Sequence, residues 1–228
     1  MKRFSLLLRF LVGLPKSIYL NFKALPFSQA IYLPLFVSIN TKIDGCFKKS
    51  IEIKSDRIRF AMISLGIYDR SPGLIFPKNC YIGIDSKSKI IFKGSFAMCK
   101  GGCLKVSNGG IMECGDCVTF NSHSKVLCSH DIKIGNNVRL GWETMLKDGD
   151  GHAICDESGE IFNGDRPISI GNNVWVGAEV ALLKGASIAD DSVVGFRSVV
   201  TKRFDTSHVI IAGNPGKVVK EKIKWISD

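Results

Sequence analysis

The sequence predicts an all-β solenoid built from hexapeptide repeats, and two observations support this prediction. Between residues 170 and 200, every sixth residue is aliphatic: Ile170, Val176, Leu182, Ile188, Val194 and Val200. Small or β-branched residues recur with the same period, four places after these positions: Val174, Val180, Ala186, Ser192 and Ser198. Side chains alternate along a strand, so a spacing of six returns to the same face, whereas a helix needs hits near 3.6. We therefore expect short strands joined by corners, each with one inward aliphatic side chain.

The same period is visible earlier in the chain, and it places the β-helix domain at residues 51–211. The six-residue period includes Val106, Met112 and Val118. It then shifts in phase and restarts at Ile134, Leu140 and Leu146. A slip of this kind predicts a bulge or a longer corner. The other expected inward residues are Ile84, Ile90, Phe92, Leu104, Val126 and Ile132.

The N-terminal segment, residues 1–50, is basic and is expected to be partly helical and partly irregular. The first 60 residues hold eleven Lys and Arg but only three Asp and Glu. Residues 1–14 predict a helix with an apolar stripe, closed by Pro15 and Lys16 and too short to span a bilayer. The stripe consists of Phe4, Leu7, Leu8, Leu11 and Leu14. Two interpretations stay open: the helix packs on the protein, or it lies in an anionic membrane interface. No nucleic-acid-binding motif is present, so nucleic acid is not an expected partner.

A polar, glycine-rich segment, residues 148–167, interrupts the repeat and predicts a loop ejected from the solenoid. His152 lies in it, flanked by Asp148, Asp150 and Asp156. Histidine is the side chain best suited to general-base work near neutral pH, although a solvated surface histidine is the alternative. Residues 212–228 predict a turn followed by a short basic helix.

The eight cysteines raise the question of a metal site. Cys114 and Cys117 are spaced as a CxxC pair, and Cys99 and Cys103 lie four apart. However, Cys114 falls on an inward position of the repeat, where a buried cysteine behaves as a small apolar residue. We therefore expect buried thiols and no metal.

The residues from Ile170 to Lys220 carry a resemblance to a known family. They read IGNNVWVGAEVALLKGASIADDSVVGFRSVVTKRF and, further on, IIAGNPGKVVK. This run resembles the C-terminal half of the hexapeptide-repeat acyltransferases, in particular the galactoside and maltose O-acetyltransferases. The N-terminal third and the DGDGH loop resemble the capsule and lipopolysaccharide O-acetyltransferases. The resemblance implies a left-handed parallel β-helix, a homotrimer with active sites between neighbouring subunits, and acetyl-CoA as the donor.

The resemblance also implies roles for individual residues. His152 matches the general base, Asn121 an acceptor contact, and Trp175 a tryptophan beside the active site. The expected acetyl-CoA contacts are Gly177, Ala178, Phe196, Thr201 and Lys202, with Lys217 and Lys220 near the 3′-phosphate. Phe196 and Arg197 stand where the family has small residues, and the two terminal lysines stand where arginines are common. For orienting His152, Asp148, Asp150 and a backbone carbonyl are all candidates, of which we favour Asp148.

Together these features predict an acetyl-CoA-dependent O-acetyltransferase that acts on a sugar hydroxyl of a cell-surface polysaccharide or its precursor. Transfer would be direct, because no nucleophilic serine or cysteine motif is present. The expected location is the cytoplasm, with peripheral attachment to the inner membrane left open. Two alternatives remain: an N-acyltransferase acting on an amino sugar, and a non-enzymatic, membrane-associated solenoid scaffold.

Overall fold

The computed structural model describes residues 2–69 and 77–226, with side chains described from residue 6 onward, and these residues form a solenoid of three sheets. Two helices precede the coils, α1 (Lys2–Ala24) and α2 (Phe27–Ala30). Each coil then contributes one strand to sheet A, one to sheet B and one to sheet C, in that order. Every pairing between coils is parallel.

The strands are short, as the six-residue period requires. Sheet A contains β1 (Leu35–Val37), β4 (Ile63–Leu65), β7 (Phe96–Met98), β10 (Val118–Phe120), β13 (Arg139–Leu140), β16 (Trp175–Val176), β19 (Val193–Val194), β22 (Ile210–Ala212) and β23 (Lys217–Lys220). Sheet B contains β2 (Thr41–Gly45), β5 (Cys80–Ile84), β8 (Cys103–Val106), β11 (Lys125–Cys128), β14 (Met145–Lys147), β17 (Ala181–Leu183) and β20 (Val199–Val200). Sheet C contains β3 (Ile51–Ile53), β6 (Lys89–Phe92), β9 (Ile111–Cys114), β12 (Asp131–Ile134), β15 (Ile168–Ile170), β18 (Ser187–Ile188) and β21 (Arg203–Phe204).

The predicted inward residues form the core. All six aliphatic residues of the 170–200 run are buried, as are their companions Val174, Val180, Ala186, Ser192 and Ser198. The coils stack in register, so that Leu140 pairs with Val176, Val176 with Val194, and Val194 with Ile211. Inward side chains of one sheet therefore lie in a continuous column. The upstream inward residues, from Ile84 to Ile132, are buried in the same core.

Helix α1 covers the open edge of the first coil. The Asn21 side chain accepts a hydrogen bond from Leu35 N (3.1 Å) and donates one to Leu35 O (2.7 Å). One turn earlier, Ser17 Oγ accepts from Val37 N (3.0 Å). The two side chains thus satisfy backbone groups of β1 that a preceding strand would otherwise bind. Gly13 is required for this close approach, since a Cβ there would lie 2.6 Å from Val37 O.

Two N-terminal boundaries differ from the sequence expectation. Helix α1 continues through Pro15 to Ala24 instead of ending at residue 14. Pro15 lies on the exposed face, and the contacts of Ser17 and Asn21 hold the helix to β1 beyond the proline. The coils begin at Leu35 rather than at residue 51, because Leu35, Phe36 and Val37 are buried without showing a six-residue period.

The short C-terminal helix predicted after residue 212 is wrong. Lys217–Lys220 form β23, which pairs antiparallel with β22. The physical reason is the free edge of β22, which is the last coil strand of sheet A and can bind an additional strand. Val218 and Val219 also favour extended backbone. Beyond β23 the chain returns along the solenoid, where the Trp225 indole N–H donates to Asn173 O.

Most of the thiols are buried, as the repeat predicted for Cys114. Cys46, Cys80, Cys99, Cys114 and Cys128 are buried, whereas Cys117 and Cys155 are exposed. Burial raises the pKa of Cys46 to about 11 and also raises the pKa of Cys114. The Cys46 and Cys114 thiols therefore stay protonated at neutral pH and are poor nucleophiles.

We expect Asn21→Ala to lower the free energy of unfolding by about 2–4 kcal/mol, because it leaves a buried N–H and a buried C=O of Leu35 unpaired. Urea unfolding followed by circular dichroism measures this. Asn40→Ala, at an exposed asparagine, is the matched control and should change stability by less than about 0.5 kcal/mol. Equal stability of the two variants would contradict the edge-covering role of Asn21.

Candidate active site

The ejected loop leaves the solenoid at the corner between sheets B and C and is held by side chains at its base. Lys184, one coil further on, forms an ion pair with the Asp150 carboxylate (2.5 Å) and donates to Asn163 O (2.6 Å). The Asn163 amide donates to Asp150 Oδ2 and to His152 O, both at 2.8 Å. The hydrogen bond from Lys184 lowers the pKa of Asp150, so this ion pair persists at neutral pH. His152 is therefore carried on a segment tied to two coils.

His152 lines a cavity of about 450 Å³ between the loop and the outer surface of the coils. The wall opposite the loop comes from consecutive coils at the sheet B–C corner, and includes Lys105, Leu127, Ser129 and Lys147. The His152 side chain is exposed. An accessible imidazole at a cavity wall can take a proton from a bound hydroxyl group.

Cys128 also lines this cavity, but its chemistry is unfavourable for a nucleophile. The side chain is 1% exposed. Burial, and then the nearby Asp148 carboxylate, raises the pKa of the Cys128 thiol. The thiolate needed for covalent catalysis is therefore disfavoured at this position.

Asp148 does not contact the His152 imidazole in this structure, contrary to our expectation that it orients the base. Its buried carboxylate accepts hydrogen bonds from Ser129 N (2.7 Å), Ser129 Oγ (3.1 Å) and His130 N (3.0 Å). These donors occupy both carboxylate oxygens. Asp148 O also accepts from Arg166 N (3.0 Å), which closes the two ends of the loop. The geometry makes Asp148 a positioning residue for the loop base.

The expected acceptor and pantetheine contacts lie at a different edge, the corner between sheets A and B. Asn121, Gly177, Ala178 and Phe196 occupy this corner in three coils, and Trp175 lies on β16 just before it. As predicted, Trp175 points outward and is 48% exposed. Gly177 has a structural requirement of its own, since a Cβ there would lie 2.9 Å from Phe196 N and from Val194 O.

The two residues that depart from the family pattern, Phe196 and Arg197, form a defined surface. The Arg197 guanidinium lies 5.1 Å from the centre of the Phe196 ring and bonds to the Glu179 carboxylate of the preceding coil. Arg197 has a positive φ of 55°, a conformation that glycine adopts more readily. The side chain is drawn along the corner toward Glu179.

The remaining residues expected to contact the donor lie at the C-terminal end of the solenoid. Thr201 and Lys202 follow β20, and Lys217 and Lys220 are on β23; all four are exposed. Gly216 N donates to Val199 O (2.8 Å), which holds the start of β23 close to the end of β20. Exposed cations on an ordered backbone suit the binding of phosphate groups.

Within a single chain, the predicted site residues lie at two different edges of the solenoid. The sheet A–B corner with Asn121 and Ala178 and the sheet B–C corner with His152 are divided by the width of sheet B. Its strands of two to five residues correspond to roughly 7–17 Å. The predicted site residues are thus not brought together within one protomer.

Sequence reasoning missed Lys184 and Asn163, which hold the loop. Lys184 follows Leu183 at a corner, where lysine is usually solvated, and its partner Asp150 is 34 residues earlier in the chain. Asn163 could have been identified from the sequence, because it lies in the segment that interrupts the repeat and a polar residue there can form hydrogen bonds across the loop.

We expect Asp148→Asn to lower the free energy of unfolding by about 1–3 kcal/mol, because the amide presents an N–H group to a buried backbone donor. Thermal and urea unfolding measure this, with Asp205→Asn, at an exposed aspartate, as the control. A variant with unchanged stability and strongly reduced acetyl transfer would contradict the positioning role and restore Asp148 as the partner of His152.

Comparison with known proteins supports the sequence resemblance, although no family model matches the chain. The galactoside O-acetyltransferase of Escherichia coli is 36% identical over 104 residues, covering 44% of this chain and 49% of the relative. The polysialic acid O-acetyltransferase of Escherichia coli is 33% identical over 147 residues, covering 64% of this chain and 44% of the relative. This chain therefore spans about half the length, or less, of these curated relatives.

Two solved structures share the fold. The polysialic-acid-specific acetyltransferase superposes with a TM-score of 0.53 at 22% identity, covering 85% of this chain and 79% of that chain. An N-acyltransferase variant from Bacillus cereus, in complex with dTDP-4-amino-4,6-dideoxyglucose and coenzyme A, superposes with a TM-score of 0.52 at 12% identity, covering 83% and 81%. The prediction of a left-handed parallel β-helix is confirmed. In sequence this chain is similar to sugar O-acetyltransferases, and its fold is the β-helix of the hexapeptide-repeat acetyltransferases.

Proposed function

We propose that this protein is an acetyl-CoA-dependent O-acetyltransferase that acts on a sugar hydroxyl of a cell-surface polysaccharide or its precursor. The observation that carries the proposal is the interruption of a regular solenoid by one tethered loop that places His152 at a cavity. The named relatives supply the reaction class, because they transfer acetyl groups to galactosides and to polysialic acid. Acetyl-CoA is a cytoplasmic metabolite, so we place the reaction in the cytoplasm.

In the proposed reaction, the imidazole of His152 removes the proton of the acceptor hydroxyl as its oxygen attacks the thioester carbonyl. The carbon–sulfur bond then breaks, and the CoA thiolate leaves and takes up the proton held by His152. The products are the acetyl ester and free CoA. The raised pKa of the cavity cysteine Cys128 favours this direct route over a covalent acetyl-enzyme.

Residues on two coil edges could bind the donor. Lys202, Lys217 and Lys220 would bind its phosphates, and the corner at Gly177 and Ala178 would lie along its pantetheine arm. The Phe196 ring is 56% exposed and offers an apolar surface beside the Arg197 cation. Binding both substrates next to each other would supply much of the rate enhancement, since it converts a bimolecular step into one within a complex.

We further propose that the protein is a homotrimer whose active sites lie between neighbouring copies. The outer face of sheet B carries half-buried apolar side chains, Leu127, Met145, Ala181, Leu183 and Val199. The ejected loop adds Ile154, Ile161 and Phe162, each at least 50% exposed. A neighbouring solenoid packed on these surfaces would bury them. It would also bring His152 of one copy toward the sheet A–B corner of another.

We expect His152→Ala to lower kcat by about 10²–10⁴-fold while acetyl-CoA binding, measured by calorimetry, is retained. His208→Ala, at another exposed histidine, is the control and should keep near-normal activity. Mass spectrometry of products from hydroxyl-bearing and amino-sugar acceptors distinguishes ester from amide. A His152→Ala enzyme with wild-type turnover would disprove the assignment, and amide products alone would favour the N-acyltransferase alternative.

We expect mixed trimers of His152→Ala and Trp175→Ala chains to recover about a third of wild-type activity, because each trimer that contains both chains has one interface in three that pairs an intact His152 with an intact Trp175. Each variant alone should be nearly inactive. Co-expression with two affinity tags and an assay of the doubly purified protein measures the recovery. The control is a mixture of His152→Ala chains with chains that carry both His152→Ala and Trp175→Ala. No recovery above this control would place each site within one chain.

A further inference from the structure

Helix α1 presents an apolar face to the outside of the molecule. Within residues 6–24, the side chains that are exposed span about 140° of the helix circumference, and none of them is charged. They are Leu7, Leu8, Leu11, Val12, Pro15, Ile18, Tyr19 and Phe22, hereafter the outer face of α1. Leu11 is 59% exposed and Tyr19 is 57% exposed. An uninterrupted apolar face of this size on a surface helix marks an interaction site.

The position of α1 determines which way this face points. Its opposite side bonds to the edge of β1, the terminal strand of sheet A, through Ser17 and Asn21. The helix therefore lies outside the first coil, and its outer face points away from the coils along the solenoid axis. Solenoids that associate side by side through their sheets would leave this face uncovered.

Charged residues lie next to the outer face, and those described along α1 are basic. Arg9, Lys16 and Lys23 lie on one flank of the helix, at positions between the outer face and the coils. The turn carrying exposed Phe47, Lys48 and Lys49 meets the end of α1, where Lys49 N donates to Ala24 O (3.1 Å). An apolar helix face bordered by cations is complementary to anionic lipid headgroups over acyl chains.

The aromatic residues of α1 and α2 fit the same environment. Phe22 packs at 6.0 Å from Phe27, which is 71% exposed and continues the apolar surface onto α2. Exposed Tyr19 and Tyr32 add rings of the type enriched at the headgroup level. Neither of the two described helices combines the length and apolarity needed to cross a bilayer. The exposed aromatic and aliphatic side chains suit this surface to the membrane interface.

We infer that the outer face of α1, with Lys23, Lys48 and Lys49 beside it, docks the protein on an anionic lipid surface. If the protein is the trimer proposed above, side-by-side association with parallel axes would place three such faces at the same end. Three weak contacts on one surface strengthen one another, because the second and third bind at high effective concentration.

Vesicle co-sedimentation tests this inference independently of acetyl transfer. The wild-type chain should bind vesicles of phosphatidylcholine with about 30–40% phosphatidylglycerol, a composition that makes the surface strongly anionic. Binding should weaken in high salt, which screens the charges. The Leu8→Glu/Leu11→Glu variant should bind at least about tenfold less well, because two carboxylates would enter the lipid interface. Val219→Glu, at an exposed valine on β23 at the other end of the solenoid, should bind like the wild type.

Two measurements keep the test decisive. Unfolding midpoints of the Leu8→Glu/Leu11→Glu variant and the wild type should agree, because both leucines point away from β1. Light scattering after gel filtration should give the two proteins the same mass. If the wild-type protein does not bind anionic vesicles, the inference is wrong. A lower mass of the variant would also overturn it, because the outer face of α1 would then be a contact between copies of the chain.

Discussion

A parallel solenoid has an unpaired strand edge at each end, and much of this structure depends on how those edges are covered. Within the stack, each strand satisfies the backbone groups of the next coil, but the first and last coils lack one neighbour. At the N-terminal end, Ser17 and Asn21 of a helix bind the edge of β1. At the C-terminal end, β23 turns back and pairs with β22. The same two end segments carry the proposed lipid-binding face and the proposed phosphate-binding lysines.

The corners impose a second constraint, a repeated left-handed backbone conformation. His123, Glu143, Glu179 and Arg197 occupy equivalent places at the sheet A–B corner and all have φ between 55° and 64°. None is glycine, so each carries a conformational cost of about 1 kcal/mol. The side chains pair along the corner, His123 with Glu143 at 3.1 Å and Arg197 with Glu179. Pairing along the edge partly offsets the strain in the corners.

The sequence predicted those parts of the structure that follow a local period. Val176 and Leu182 could be assigned to the core because each coil repeats the same spacing, and Trp175 could be assigned outward for the same reason. The role of Asn21 could not be predicted, since it depends on β1 being a terminal strand. The hydrogen bonds that Asp148 accepts from Ser129 and His130 could not be predicted either, because the stacking of coils brings these donors to it. The C-terminal strand depends on the free edge of β22, which no local pattern reveals.

The attachment of the ejected loop to Lys184 has a consequence for how this protein can vary. His152 leaves from the coil of β14, Lys184 belongs to the next coil, and Lys202 to the one after that. With a rise of about 4.8 Å per coil, a fixed number of coils separates the proposed general base, His152, from Lys202. Insertions within the loop leave this separation unchanged, whereas gain or loss of a whole coil beyond β14 alters it stepwise. The number of coils downstream of the loop would therefore set the distance between the proposed general base and the proposed phosphate-binding lysines.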